Sequence, residues 1–177
     1  MKKPKVLSRK RIYRSSWLSL FLDKVEFPGG RIIAKHHRLN FHREGVISLV
    51  EDSAARILLV RAFRYLTDSV EWELPAGTRD KRESVLACAR REVLEESGYE
   101  TTHPRLLYRY YPALGISDLV YYVVRSRAGK NTGVFDRNEV RGFACFSKSK
   151  IRALIRKKGI RDGFSLTGLL LHLGGYF

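Results

Sequence analysis

With 177 residues and 44% apolar content, the chain is long enough for one well-buried domain plus an appendage, and too apolar for wholesale disorder. The formal net charge of +16 raises a polyanionic partner, or a generally basic surface that attracts anionic nucleotides. No stretch spans a bilayer and no signal peptide is legible, while Cys88 and Cys145 form no CxxC motif, so a disulfide framework is not expected and a reducing, cytoplasmic setting suits the chain.

Taken in order, residues 1–14 hold seven Lys or Arg without an apolar period and predict a flexible basic tail. Residues 15–27 alternate and read as a strand. Pro28-Gly29-Gly30 is a turn signal, and 31–41 read as the antiparallel partner, giving an N-terminal β-hairpin within 15–43. The main domain follows over 44–177. Its first strands are expected at 45–51, 56–65 and 70–75, and a helix at 83–97, where Gly and Pro are absent. Further strands are expected at 105–111, 119–125 and 142–147, with a loop at 129–138. Residues 148–158 read as a basic amphipathic helix, and 164–173 as a buried helix closed by Gly174-Gly175. The fold class is α/β (α+β).

The chemistry concentrates in 77–99. Gly77 is followed by five residues and Glu83, then by seven residues and Arg91-Glu92-Val93-Leu94-Glu95-Glu96-Ser97-Gly98. On a helix, Glu92, Glu95 and Glu96 are related as i, i+3 and i+4 and share one side. Leu86, Ala89 and Val93 form an adjacent apolar stripe that can pack on a sheet. Like charges at this spacing are unfavourable alone, so the cluster invites a cation. Hard divalent cations take carboxylate and carbonyl oxygens. Arg91 can reach Glu95 at i+4, and Glu83 lies about two turns back. Both are placed to orient the carboxylates.

This spacing resembles the Nudix box, and the chain resembles a Nudix hydrolase; Tyr99 stands where the pattern usually has a bulky aliphatic residue. The resemblance implies a mixed β-sheet sandwiched between helices. It also implies Mg²⁺ or Mn²⁺ as cofactor, held by Glu92, Glu95 and Glu96 with the carbonyl of Ala76. The runs 60–65 and 71–77 resemble the ADP-ribose pyrophosphatase subgroup. By that likeness Arg64 and Gly77 meet the substrate, and Arg38 of the hairpin supplies a further basic contact. An arginine suits the diphosphate because its planar fork grips two oxygens. Arg61 is three residues from Arg64, so on a strand it points the other way. The loop after Tyr111-Pro112 resembles the subgroup's proline loop, which usually carries an acid acting on water or metal. Asp118 is the candidate here, against a turn-forming aspartate. In the subgroup the N-terminal sheet commonly joins a homodimer and helps form the base pocket.

The resemblance therefore implies hydrolysis of ADP-ribose or a related nucleoside diphosphate sugar to a nucleoside monophosphate and a sugar phosphate. An RNA 5′-pyrophosphohydrolase is the alternative that the charge suggests. A catalytically idle nucleotide sensor is the other, and the intact acid cluster argues against it. A small nucleotide substrate is favoured over nucleic acid, because the motif lines the expected site whereas charge is spread along the chain. The five histidines show no ligand spacing and none is assigned to metal.

Overall fold

The computed structural model describes residues 2–177. The chain divides into two compact units, one formed by residues up to Glu44 together with Tyr111–Val120, the other by Gly45–Tyr110 and Tyr121–Phe177.

The first unit is a three-stranded antiparallel sheet in the order β1-β2-β3, made of β1 (Lys5–Arg14), β2 (Leu18–Glu26) and β3 (Ile32–Phe41). The flexible tail expected over 1–14 is thus a strand from Lys5 to Arg14. This strand, β1, pairs with β2 from Lys5↔Glu26 to Arg14↔Ser19, and the hairpin expected at 15–43 is part of a larger sheet. Two features hold β1 in place. The Ser15 hydroxyl accepts from the backbone of Trp17 and Leu18, closing the turn. Arg9 forks onto buried Asp23 at 2.7 and 2.8 Å. The density of cations hides a strand pattern in which every side chain is exposed. Segment Tyr111–Val120 lies along β3, where the Leu39 amide donates to Ile116 O at 2.8 Å.

The second unit carries a mixed sheet in the order β10-β5-β4-β9-β8, with β6 on β5 and β7 on β4. Its strands are β4 (Gly45–Glu51), β5 (Ile57–Arg64), β6 (Ser69–Glu73), β7 (Ala76–Thr78), β8 (Tyr99–Tyr110), β9 (Tyr121–Asn131) and β10 (Val140–Phe146). Only β4 and β9 run parallel. The helices are α1 (Val85–Ser97), α2 (Lys148–Arg156) and α3 (Gly163–Leu173).

The period-2 rule makes β4 buried on both faces. Val46 and Val50 pack with Cys88, Ala89 and Val93 of α1, while Ile47 and Leu49 pack with Ile151 of α2 and Leu169 of α3. This is the expected sheet between helices, and it explains why β4 reads as an unbroken apolar run. β8 begins at Tyr99 and β9 runs to Asn131, so both strands are longer than their sequence signal and β9 takes in the first residues of the expected 129–138 loop. No helix is long and apolar enough to cross a membrane, among the described residues.

Candidate active site

The site is built on the two ends of α1. Ser84 caps its start, accepting from the Ala87 amide at 3.1 Å, so the helix begins two residues later than the composition suggests. Gly98 ends it in the left-handed conformation, φ +71°, with its amide on Leu94 O. Between these caps, Arg91, Glu92, Glu95 and Glu96 face an open cleft of about 740 Å³, lined also by Ala76 and Gly77 of β7.

Arg91 organises the carboxylates. Its Nη1 meets Glu92 at 2.8 Å and Glu95 at 3.0 Å. Its Nε and Nη2 fork onto Glu83, and Nη2 also donates to Thr78 O at 3.2 Å. The guanidinium holds the Glu83 carboxyl below its ordinary range. Glu83 is tied to the preceding turn as well, accepting from the Asp80 amide at 3.2 Å.

Glu96 is the innermost acid. It is 8% exposed, and one oxygen accepts from the Ala76 amide at 3.1 Å. Burial pushes its pKa up to about 8, with the Glu92 charge adding and Arg64 opposing. Burial also raises Glu92, against the pull of Arg91. Glu92 lies on bare backbone: a methyl group at Gly77 would overlap its carboxylate. Any side chain at Gly77 would have to displace the Glu92 carboxylate from this position.

Among the described residues no three acidic, imidazole or thiol groups stand together as a ready metal cage. Arg91 draws Glu92 and Glu95 to itself while Glu96 stays inside, so the acids diverge. Their chemistry nevertheless fits a hard divalent cation. Two carboxylates whose burial disfavours the charged form sit beside the backbone of Ala76 and Gly77, an all-oxygen donor set.

Arg64 ends β5 and forks onto Glu73, itself 3% exposed, with Nε–Oε1 at 2.8 Å. Leu58 of the same strand packs with Val93 of α1, and alternation places Arg64 on that face too. Its charge acts on Glu96 accordingly. Arg61 lies on the other face, over the Trp72 ring at 5.9 Å.

Asp118 and Arg38 both belong to the first unit and meet each other. The Asp118 carboxylate accepts from Arg38 at 3.2 Å, from Asn40 at 2.5 Å and from the Phe41 amide at 2.9 Å. It pins the proline loop to β3. Two further acids without a motif in the sequence line the cleft, Asp136 and Glu139, on the connection between β9 and β10. The Asp136 amide donates to Glu95 O at 2.7 Å and fixes this connection to α1. The Glu139 charge is felt by Glu96. Their only sequence signal is acidity in a stretch without period.

The NUDIX domain model matches residues 41–164. The chain belongs to the Nudix hydrolase family. This Nudix hydrolase is 34% identical over 112 residues to the CMP-5′-(N-acetyl-N-hydroxy-3-aminopropyl)phosphonate hydrolase of Streptomyces rubellomurinus (strain ATCC 31215), a match covering 63% of this chain and 53% of that protein. It is 27% identical over 119 residues to the ADP-ribose pyrophosphatase of Bacillus subtilis (strain 168), covering 67% and 63%. It is 25% identical over 161 residues to the methanol dehydrogenase activator of Bacillus methanolicus, covering 89% and 86%. The chain thus spans between about half and two thirds of the length of the first two relatives. Among solved structures, an ADP compounds hydrolase shares the fold at a TM-score of 0.86 and 20% identity, covering 99% of this chain and 97% of that one. Within the Nudix box, Cys88 is buried and its thiol is pushed up to about 12, mainly by desolvation, so it is a packing residue and not a nucleophile.

Proposed function

We propose that this Nudix hydrolase splits the diphosphate linkage of ADP-ribose or a related nucleoside diphosphate sugar, giving a nucleoside monophosphate and a sugar phosphate. The observation that carries the reading is the buried Glu96 beside Glu92, with Arg64 on the same face of the sheet. Glu92, Glu95 and Glu96 with the Ala76 carbonyl would hold Mg²⁺ or Mn²⁺, which when bound supplies charge neutralisation for the diphosphate and acidifies water. Arg64 keeps donors to spare for the substrate. A guanidinium has five N–H groups, and the side-on fork to Glu73 uses only part of them. Glu139 takes the proton of the attacking water. The new P–O bond forms as the bridging P–O bond breaks, and the departing phosphate carries off the electron pair. We assign this role to Glu139 rather than Asp118, whose carboxylate is taken up by three donors of its own unit. Within the first unit Asp118 holds Arg38 and Asn40 in place.

The similarity to a phosphonate hydrolase favours one second reading, in which the group beyond the bridging oxygen is a phosphonate. We further propose a homodimer through the first unit, supported by exposed Val6, Ile12 and Tyr13 on β1, and a cytoplasmic setting, supported by the free Cys88 and Cys145.

A substrate panel decides the function. ADP-ribose, hexose nucleotides, a nucleotidyl phosphonate and triphosphorylated RNA are compared by kcat/KM with product identification, with and without Mg²⁺. Preference for a nucleotide sugar, abolished by chelation, supports the proposal, and preference for RNA overturns it. Light scattering tests the dimer.

A further inference from the structure

We propose that α2 and the turn after it form a phosphate-binding face for single-stranded RNA, separate from the hydrolytic cleft. Residues 148–161 contain no Asp or Glu. Lys148, Lys150, Arg152, Arg156, Lys157 and Lys158 are all exposed, and no ion pair among the described residues includes any of them. Arg161 is different, since Glu71 engages it. None of these residues lines the acidic cleft.

The placement of the charge is adverse to the helix itself. The first turn of α2 carries no acid, yet Lys148 and Lys150 stand there, at the positive end of the helix dipole. With Lys157 and Lys158 just past its end, the helix carries cations at both ends. Unneutralised like charges along one short element repel one another, and a polyanion relieves both penalties.

Three observations choose the occupant. The apolar residues of α2 point inward: Ile151 is fully buried and Leu154 and Ile155 pack on the core. The outer face of α2 itself is polar, without the row of exposed apolar side chains by which an interfacial helix enters a bilayer. Beside it lies a groove of about 430 Å³ floored by Ile155, Leu170 and Leu173, with Arg152 and Arg156 on its rim. Unpaired bases can rest on such a floor while their phosphates meet the rim, whereas a duplex keeps its bases hidden.

The test uses the full chain and a fluorescently labelled oligouridine, with anisotropy read across a salt series. The wild type is expected to bind with a steep log–log slope. Lys148→Gln/Lys150→Gln/Lys157→Gln/Lys158→Gln is expected to weaken binding at least about tenfold and to flatten the slope by about 0.7 for each phosphate contact removed. Gln keeps helix propensity, and circular dichroism with unchanged hydrolysis of a small nucleotide checks the fold. The milder Lys150→Gln/Lys157→Gln pair should fall between. A control set on β1, Lys5→Gln/Lys10→Gln/Arg11→Gln/Arg14→Gln, should change binding little. No binding by the wild type at low salt overturns the proposal. So does a loss that follows the β1 set instead of α2, or binding to phosphatidylcholine–phosphatidylserine vesicles in preference to the oligonucleotide. The binding readout needs no turnover, so its result stands apart from the fate of the proposed hydrolysis.

Discussion

Arg91 and Glu83, eight positions apart, are joined by a two-point fork with Nε–Oε1 at 2.9 Å and Nη2–Oε2 at 3.0 Å. The fork ties the loop before α1 to the middle of the helix. Since Nη1 of the same guanidinium meets Glu92 and Glu95, the loop geometry is passed directly to the acids.

Removing the anchor should therefore cost stability and orientation together. Arg91→Ala leaves the mostly buried carboxylates of Glu83 and Glu92 without this donor, and we expect a loss of about 1–3 kcal/mol by chemical denaturation, with a fall in kcat. The pH dependence follows from Glu83. Its folded-state pKa is lowered by Arg91, so its contribution is full above the unfolded value of about 4.3 and is lost as pH falls through the lower folded value. The stability gap between wild type and Glu83→Gln should be constant near neutrality and close in that acid window. A gap that persists in strong acid would show that the fork is not its source.

Glu96→Gln should lower kcat at least about a hundredfold, as when a major electrostatic stabiliser is removed, while the fold survives. The amide oxygen can still accept from Ala76, and burying a neutral amide costs less than burying a carboxylate. The melting temperature of the metal-free protein should therefore not fall. Activity within a few-fold of wild type at saturating Mg²⁺ would remove the acid cluster from the mechanism.

Arg64→Lys keeps the charge and loses the fork, so kcat/KM should drop by about tenfold or more, whereas Arg61→Lys should be mild. The contrast rests on the opposite faces that the two residues take on β5. Equal effects, or the reverse order, would show that the wrong face has been assigned to the substrate.

Glu139→Gln should reduce kcat by about 10²–10⁴ with little change in KM, the range for a lost general base. Asp118→Asn should act differently. It weakens the hold on Arg38 and Asn40, so its effect should fall on the stability of the first unit, with little change in kcat. A kcat loss larger for Asp118→Asn than for Glu139→Gln would return the base to the proline loop.

Arg9→Ala should destabilise the first unit by about 1–2 kcal/mol, because it leaves buried Asp23 without its fork while Arg9 itself is partly solvated. Deleting residues 1–14 should cost more, since it strips the whole of β1 from β2. Thermal unfolding separates these cases, and a deletion without effect would mean that β1 contributes nothing.

The sequence by itself determined the box. Caps, period and acid spacing are all local, and a helix turns i, i+3 and i+4 into one face without help from the rest of the chain. The same locality made the N-terminal turn at Pro28 and the basic α2 legible. Tertiary structure decided what depends on partners far away in sequence. β1 looks like a solvated tail until Asp23 supplies the counter-charge that orders it. The hold of β3 on the Asp118 carboxylate is likewise invisible in the sequence, since its donors lie nearly eighty positions away. Glu139 has no signal until the connection after β9 folds over α1 and brings it to the cleft lined by Glu96. Local spacing fixes which side chains share an element, but only packing fixes which elements face one another, and the perturbed acidity of Glu96 arises from that packing.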